Sequence, residues 1–89
     1  MSPNQILQVD IFTAIGDARR RRILELLSVR ERSVGELTAE FQIAQQSVSQ
    51  HLAVLRTVGL VKQTKRGTSS IYSLERDALA EVIGWIAAL

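Results

Sequence analysis

The chain has 89 residues and no cysteine, so disulfide bonds, zinc–thiolate sites and thiol redox sensing are excluded. Its formal charge is only +2, which excludes a histone-like polycation and makes the position of the charges more informative than their sum. No apolar run approaches the length of a membrane span and the N-terminus has no signal-peptide pattern, so a cytoplasmic protein without a membrane partner is expected.

A chain of this length forms one domain, expected to span residues 1–89, and buries only a thin core. An amphipathic helix is predicted over residues 5–15. Its apolar residues recur at spacings near 3.6, namely Ile6, Val9, Phe12 and Ile15. These side chains can pack into the core of one chain or form an interface with a second chain, and both roles are expected.

A second helix is predicted over residues 18–27, with Asp17 as its N-cap. The four consecutive arginines at positions 19–22 look like a nucleic-acid patch. Successive helical residues are rotated by about 100°, however, so these side chains scatter around the axis. A structural or dimer-facing role is therefore favoured over DNA contact, with Arg21 and Glu25 as an i, i+4 ion pair.

Two further helices joined by a tight turn are predicted after a polar loop at residues 28–32. Ser33 and Glu36 have the spacing of a capping box, which starts the third helix. Its apolar residues are Val34, Leu37 and Phe41. The fourth helix is predicted over residues 45–58, and Gly59 can end it in a left-handed conformation. Its buried stripe is expected to contain Val48, Leu52, Leu55 and Val58.

The exposed face of the fourth helix carries neutral hydrogen-bonding side chains and no acid in its first two turns. They are Gln45, Gln46, Ser47, Ser49, Gln50 and His51. Amides and hydroxyls suit the DNA major groove, whereas carboxylates would repel the phosphates. The alternative is a solvated face that merely lacks charge. A single histidine without cysteine partners cannot build a metal site. Its place beside Gln50 favours a DNA contact for His51 over a capped surface residue.

A β-hairpin is predicted next, with strands over residues 60–65 and 70–74 and a turn in which Gly67 can take positive φ. A helix-turn-helix followed by a basic hairpin is a winged helix-turn-helix. The expected fold is mainly α (α+β), with helices α1–α4, a two-stranded wing and a C-terminal helix α5. Phosphate contacts or entry into the minor groove are expected of Arg56, Lys62, Lys65, Arg66, Thr68 and Ser69.

The last helix is predicted over residues 75–89, with a wide apolar surface that one small core cannot cover. A homodimer is therefore expected, in which the first and last helices pack together across a two-fold axis. The expected interface residues are Ile6, Val9, Phe12, Leu79, Val82, Ile83 and Ile86.

Four segments together resemble the ArsR/SmtB family of bacterial repressors. They are residues 17–27, residues 33–37, the run V-S-Q-H-L-A-V-L-R at residues 48–56 and G-L-V at residues 59–61. The resemblance covers nearly the whole chain and implies a dimeric repressor with double-stranded operator DNA as its partner. Ala44 and Gln46 stand where the family usually has a capping Ser or Thr and a proline, which leaves the base contacts open.

The metal ligands that the resemblance would imply are absent from this sequence. Residues 36–40 contain none of the family's cysteines, and the last helix has Asp77 and Glu81 but no histidine. Carboxylates alone are poor ligands for transition metals, so no metal site and no cofactor are expected. Constitutive repression and control by an unknown small-molecule effector both remain open, and the first is favoured because no polar cluster marks a ligand pocket.

An enzyme is the weakest hypothesis, since the sequence has no Gly-rich phosphate loop and no nucleophile with a base and an orienting group. The favoured function is a homodimeric, sequence-specific DNA-binding regulator that represses from a palindromic operator. The alternative is a winged helix that binds other proteins and not DNA. Such a module would expose aromatic or leucine side chains where this chain has glutamine, serine and histidine.

Overall fold

The computed structural model describes residues 9–89, which form five α-helices, one 3₁₀ turn and a three-stranded antiparallel sheet. The helices are α1 (Ile11–Ile15), α2 (Ala18–Val29), α3 (Val34–Thr38), α4 (Gln45–Thr57) and α5 (Ala80–Ala87). The strands are β1 (Arg32–Ser33), β2 (Val61–Arg66) and β3 (Ser69–Leu74), and the 3₁₀ turn covers Arg76–Leu79. The predicted winged helix-turn-helix is confirmed. Within residues 9–89, no helix is long and apolar enough to cross a membrane.

Helices α2 and α3 start at the predicted caps. The carboxylate of Asp17 accepts hydrogen bonds from the backbone N–H groups of Arg19 and Arg20, at 2.8 and 3.1 Å. Ser33 and Glu36 make both bonds of the capping box, with the Ser33 N–H donating at 2.9 Å and the Glu36 N–H donating at 3.1 Å. Each cap satisfies donors that the first helical turn would otherwise leave unpaired.

Helix α1 is shorter than the sequence indicated. Asp10 has an extended backbone and its carboxylate accepts from the N–H of Thr13 at 2.8 Å, so the helix begins at Ile11. The continuous helix predicted over residues 5–15 is therefore wrong at Val9 and Asp10. Residues 1–8, which include Ile6, lie outside the described residues.

The sheet contains a strand that the sequence did not indicate. Its order is β1-β3-β2, and Arg32 of β1 pairs with Tyr72 of β3. The loop predicted at residues 28–32 is wrong at both ends, because α2 continues to Val29 and Arg32 belongs to β1. A strand of two residues is too short to show an alternating pattern, so only its pairing with β3 reveals it.

The core lies between α1, α2, α3, α4 and the inner face of the sheet. Its fully buried large side chains are Ile23, Leu37, Val48, Leu52, Leu55 and Leu60. Each buried leucine or isoleucine stabilises the fold by about 1.5–3 kcal/mol relative to an exposed one. Phe41 follows α3 instead of extending it, yet it still packs against this core.

Two glycines with positive φ set the geometry of the wing. Gly59 has φ of 78° and ends α4, and the N–H of Leu60 then donates to the carbonyl of Leu55 at 2.9 Å. Gly67 has φ of 63° and is the first central residue of the two-residue turn between Arg66 and Ser69. The predicted hairpin turn with positive φ at Gly67 is confirmed, and that position favours glycine in a type II′ turn.

Two details near the chain surface correct the sequence reading. The ion pair of α2 joins Arg22 to Glu25 at 3.4 Å, and the predicted pair of Arg21 with Glu25 does not form. Arg21 instead donates to the Ile15 carbonyl at the end of α1, a partner outside its own helix. The last helix does not start at residue 75, because a 3₁₀ turn precedes α5.

Candidate DNA-binding face

Helix α4 presents one continuous exposed stripe opposite its buried one. Val48, Leu52 and Leu55 are buried, as predicted, and anchor the helix to the core. The exposed stripe consists of Gln45, Gln46, Ser49, Gln50, Ala53, Arg56 and Thr57. We call this set the α4 face. It carries no acidic side chain, so nothing on it would repel a phosphate backbone.

Two members of the α4 face were missed in the sequence reading. Ala53 lies four residues after Ser49, and Thr57 lies four residues after Ala53. Thr57 donates its hydroxyl to the Ala53 carbonyl at 2.9 Å, which holds that side chain along the helix. Helical spacing from Ser49 was the signal that could have found both residues.

The start of α4 has no side-chain cap. Ala44 occupies the N-cap with an extended backbone, and no side chain accepts from the first N–H groups. The first turn also has no acidic residue. The partial positive charge of this helix end is therefore not neutralised by a side chain of its own first turn, which suits an approaching anion.

The remaining predicted members of the helix lie at the margins of the α4 face. Ser47 and His51 are half-buried, whereas Gln50 beside them is exposed. The Nδ1 atom of His51 lies 3.3 Å from Nη1 of Arg20 on α2. His51 is thus partnered within the chain on one side of its ring.

Arg20 also ties α1 to α2. Its Nε donates to the Ala14 carbonyl at 2.6 Å and its Nη2 donates to the Thr13 carbonyl at 3.1 Å. The Arg20 backbone N–H is the main reason why the pKa of Asp17 lies below its ordinary value, with desolvation opposing and the Arg19 N–H and the Arg20 charge assisting. The junction of α1 and α2 therefore carries an ordered polar cluster against α4.

The wing continues the basic surface from the end of α4. Arg56 donates from Nη1 to the Gln63 Oε1 of β2, which links the helix to the wing. An open groove of about 610 Å³ lies between them, lined by Arg56, Gly59, Val61, Lys62, Gln63, Lys65 and Glu75. Three cations and one acid line this groove, so it attracts anions.

The predicted wing residues differ in their partners. Lys62 and Lys65 are exposed and form no ion pair with any residue in the described part of the chain. Arg66 is paired with Glu31, which precedes β1. Thr68 and Ser69 are exposed at the tip of the hairpin. Because Arg56 of α4 contacts Gln63 of β2, the α4 face and the wing lie side by side.

A second exposed surface is apolar and lies on the terminal elements. Ile83, Trp85 and Ile86 of α5 are 64%, 55% and 58% exposed, and Val9 is 39% exposed. The Phe12 ring meets the Trp85 ring edge-to-face, with centroids 5.5 Å apart at 70°. Leu79 and Val82, in contrast, are half-buried against the core of their own chain. We call the surface formed by Val9, Phe12, Ile83, Trp85, Ile86 and Leu89 the terminal apolar face.

Residues 9–89 contain no group of three or more His, Cys, Asp or Glu side chains that could hold a metal ion. Asp77 and Glu81 are both exposed near the start of α5. The single histidine of the sequence is His51, which contacts Arg20 instead of a carboxylate.

An acid-free helical face beside a basic hairpin defines this chain as a DNA-binding protein of the winged helix-turn-helix class. The chain belongs to the arsR family of bacterial regulatory proteins, whose model matches residues 17–63. It is accordingly a transcriptional regulator and not an enzyme.

Named relatives differ in the direction of regulation. The chain is 32% identical to the transcriptional repressor SdpR of Bacillus subtilis over 77 residues, and this aligned region covers 86% of each chain. It is 36% identical over 83 residues to the transcriptional activator HlyU of Vibrio cholerae, covering 93% of this chain and 77% of HlyU. A crystal structure described as a possible transcriptional regulator for arsenical resistance superposes with a TM-score of 0.84 at 32% identity, covering 91% of this chain and 84% of that one.

Proposed function

We propose that this chain is a homodimeric repressor that binds a palindromic DNA operator through the α4 face and the wing. The observation that carries the proposal is the α4 face itself, which is exposed, acid-free and rich in amides. Glutamine reads adenine edges with two hydrogen bonds, and serine accepts or donates to several groups. Gln45, Gln46, Ser49 and Gln50 are the proposed base contacts, with Ser47 and His51 at the margins.

The wing and the end of α4 supply the proposed backbone contacts. Lys62 and Lys65 have no acidic partner in the described residues, so a phosphate can bind them without displacing one. Arg56 and Arg66 already hold partners within the chain, namely Gln63 and Glu31. Thr68 and Ser69 add hydroxyls at the hairpin tip. Phosphate contacts of this kind set orientation and affinity but carry no sequence information.

The terminal apolar face supports a dimer. Large apolar patches on a small domain are normally covered by a partner, and a two-fold partner would present the same patch. Two copies related in this way can place their α4 helices roughly 34 Å apart, so that they meet successive major grooves of one DNA face. The proposed operator is therefore a palindrome with half-sites one helical turn apart. Ile6 belongs to the same proposal, although it lies outside the described residues.

Repression is the proposed direction of control. Occupying a promoter is sufficient to exclude polymerase, whereas activation needs a further productive contact. The DNA partner places the proposed site of action in the cytoplasm. Control by metal is not proposed, because the chain has one histidine and no cysteine from which to build a transition-metal site. Release of the operator on addition of a small organic molecule, measured in the same binding assay, would identify an effector.

Selection of bound sequences from a random double-stranded DNA pool tests the proposal most directly. The expected result is a palindromic consensus, and anisotropy measurements at two salt concentrations should show weaker binding at high salt because phosphate contacts release counterions. A reporter gene carrying the consensus in its promoter should be silenced by the protein. Failure to enrich any sequence, together with salt-independent or absent DNA binding, would favour a protein-interaction module instead.

A further inference from the structure

Arg20 lies at the meeting point of three helices. Its side chain donates to the Thr13 and Ala14 carbonyls at the end of α1 and contacts the His51 ring of α4 through Nη1. One guanidinium therefore joins α1 to the helix that carries the α4 face. Arg20 is the only half-buried arginine at positions 19–22, and the other three are exposed.

The contact between Arg20 and His51 determines which ring nitrogen carries the proton. A guanidinium has only donors and no acceptor, so Nδ1 of His51 must be the acceptor in this contact. A neutral imidazole whose Nδ1 accepts carries its proton on Nε2. Arg20 therefore holds His51 in the Nε2–H tautomer.

The second ring nitrogen of His51 is open to solvent. The Nε2 atom has no hydrogen-bond partner within residues 9–89, and no buried side-chain nitrogen or oxygen there lacks a partner. The Nε2 atom is consequently accessible at the margin of the α4 face, beside the exposed Gln50. The margins of a helix in the major groove face the groove walls, which are formed by the phosphates.

We propose that Arg20 is a positioning residue for DNA binding, which orients His51 so that its Nε2–H donates to a backbone phosphate of the operator. A phosphate oxygen can only accept, so it matches this tautomer and would be mismatched by the other. The inference rests on the proposed DNA-binding function and adds a role for Arg20 in it. Arg20 itself does not touch the DNA.

The neighbouring residue provides a matched control. Arg21 donates from Nη1 to the Ile15 carbonyl at 2.8 Å, so it also caps the end of α1, but it does not contact His51. Arg20→Met and Arg21→Met each remove one positive charge and hydrogen bonding to the same helix end. Only the first variant removes the contact with the ring.

Nuclear magnetic resonance of the ring nitrogens tests the first step. His51 is the sole histidine, so its ¹⁵N signals need no assignment by mutation. At a pH well above the ordinary imidazole pKa of about 6.5, the wild-type ring should show a protonated Nε2 and an unprotonated Nδ1. Arg20→Met should shift both signals toward tautomer-averaged values and Arg21→Met should not. A protonated Nδ1 in the wild-type protein would overturn the inference.

Binding to the selected operator tests the second step. Arg20→Met should weaken binding roughly 3- to 10-fold more per half-site than Arg21→Met, the effect of one misdirected hydrogen bond in each subunit. His51→Gln places an amide N–H near the position of Nε2 without needing Arg20, so in that background the two methionine variants should bind equally. Equal affinities of Arg20→Met and Arg21→Met in the wild-type background would refute the role of Arg20.

Two outcomes keep this inference separate from the proposed function. Wild-type binding with no difference between the two arginine variants defeats only the inference, whereas no DNA binding by the wild-type protein defeats the proposed function. If circular dichroism shows that Arg20→Met does not fold, the wild-type ring-nitrogen signals still test the tautomer, and His51→Gln and His51→Ala still test the donated hydrogen bond. His51→Gln should retain most of the affinity and His51→Ala should lose it, and equal affinities would contradict a donated hydrogen bond from this position.

Discussion

Arg66 on the wing is bound through both terminal nitrogens to the carboxylate of Glu31, a residue 35 positions earlier in the chain. The Nη2–Oε2 distance is 3.2 Å, and the two side chains are 59% and 44% exposed. An exposed ion pair contributes only about 0.2–1 kcal/mol, so a phosphate can compete with it. Under the proposed function, in which Arg66 contacts a phosphate, Glu31 competes with the DNA backbone for this side chain.

Replacing Glu31 with glutamine should tighten operator binding and steepen its salt dependence. The freed Arg66 would add close to one phosphate contact per subunit, and each such contact adds about 0.9 to the slope of log affinity against log salt. Anisotropy titrations at several salt concentrations measure both quantities. Glu25→Gln is the control, because it makes the same charge change at an acid paired with Arg22 on α2. Equal effects of the two variants would mean that net charge alone is responsible.

Replacing Gln50 with alanine should relax the preference for one base position in each half-site. The lost bidentate contact should cost about 1–3 kcal/mol per half-site on the preferred sequence and much less on other sequences. Repeating the selection from random DNA with the variant measures the change. Gln42→Ala removes an amide from the turn before α4 and should keep the original consensus. An unchanged consensus for Gln50→Ala would show that α4 does not read this position.

Replacing Ile83 with aspartate should convert the dimer into a monomer. Ile83 is 64% exposed on the terminal apolar face, so the charge is tolerated in a single chain but would be buried and unpaired in the dimer. Sedimentation at micromolar concentration measures the mass, and operator affinity should fall together with dimerisation. Ile83→Met keeps the apolar surface and should remain dimeric. A wild-type protein that is monomeric while it binds the palindrome tightly would contradict the proposal.

Zinc, nickel, cobalt and arsenite should leave operator binding unchanged. Within residues 9–89, no cluster of metal-ligating side chains exists to couple these ions to α4. The measurement is an operator titration with each ion in turn, repeated after addition of a chelator. Stoichiometric loss of affinity that the chelator reverses would disprove this expectation for the ion concerned.

Acid should destabilise the protein through its helix caps. The backbone N–H groups that bind Asp10, Asp17 and Glu36 lower the pKa of each carboxyl below its ordinary value. A lowered folded-state pKa contributes stability that is complete above the unfolded-state value, near 4, and is lost as the pH falls through the folded-state value. Asp17→Asn keeps a capping oxygen but cannot titrate.

The pH dependence of urea unfolding below about pH 5 should therefore be shallower for Asp17→Asn than for the wild-type protein. Asp77→Asn serves as the control, since its carboxylate makes none of the hydrogen bonds seen at Asp17. If the free energy of unfolding falls equally steeply with pH in Asp17→Asn and in the wild-type protein, this cap does not cause the acid sensitivity.

Local patterns in the sequence were sufficient for most of the fold. The buried stripe of Val48, Leu52 and Leu55, the capping box of Ser33 and Glu36, and the positive φ of Gly59 each depend on residues within one or two helical turns. Periodicity and capping act over that range, so they can be read before any tertiary contact is known. The acid-free composition of the α4 face is likewise a property of one helix.

The features that required tertiary structure all join residues far apart in the chain. Strand β1 exists because Arg32 pairs with Tyr72, and the partner of Arg66 is a carboxylate that precedes this strand. His51 contacts Arg20, 31 residues earlier, and not one of the three other arginines at positions 19–22. No periodicity links such pairs, because their proximity results from the packing of α1, α2, α4 and the sheet around one core.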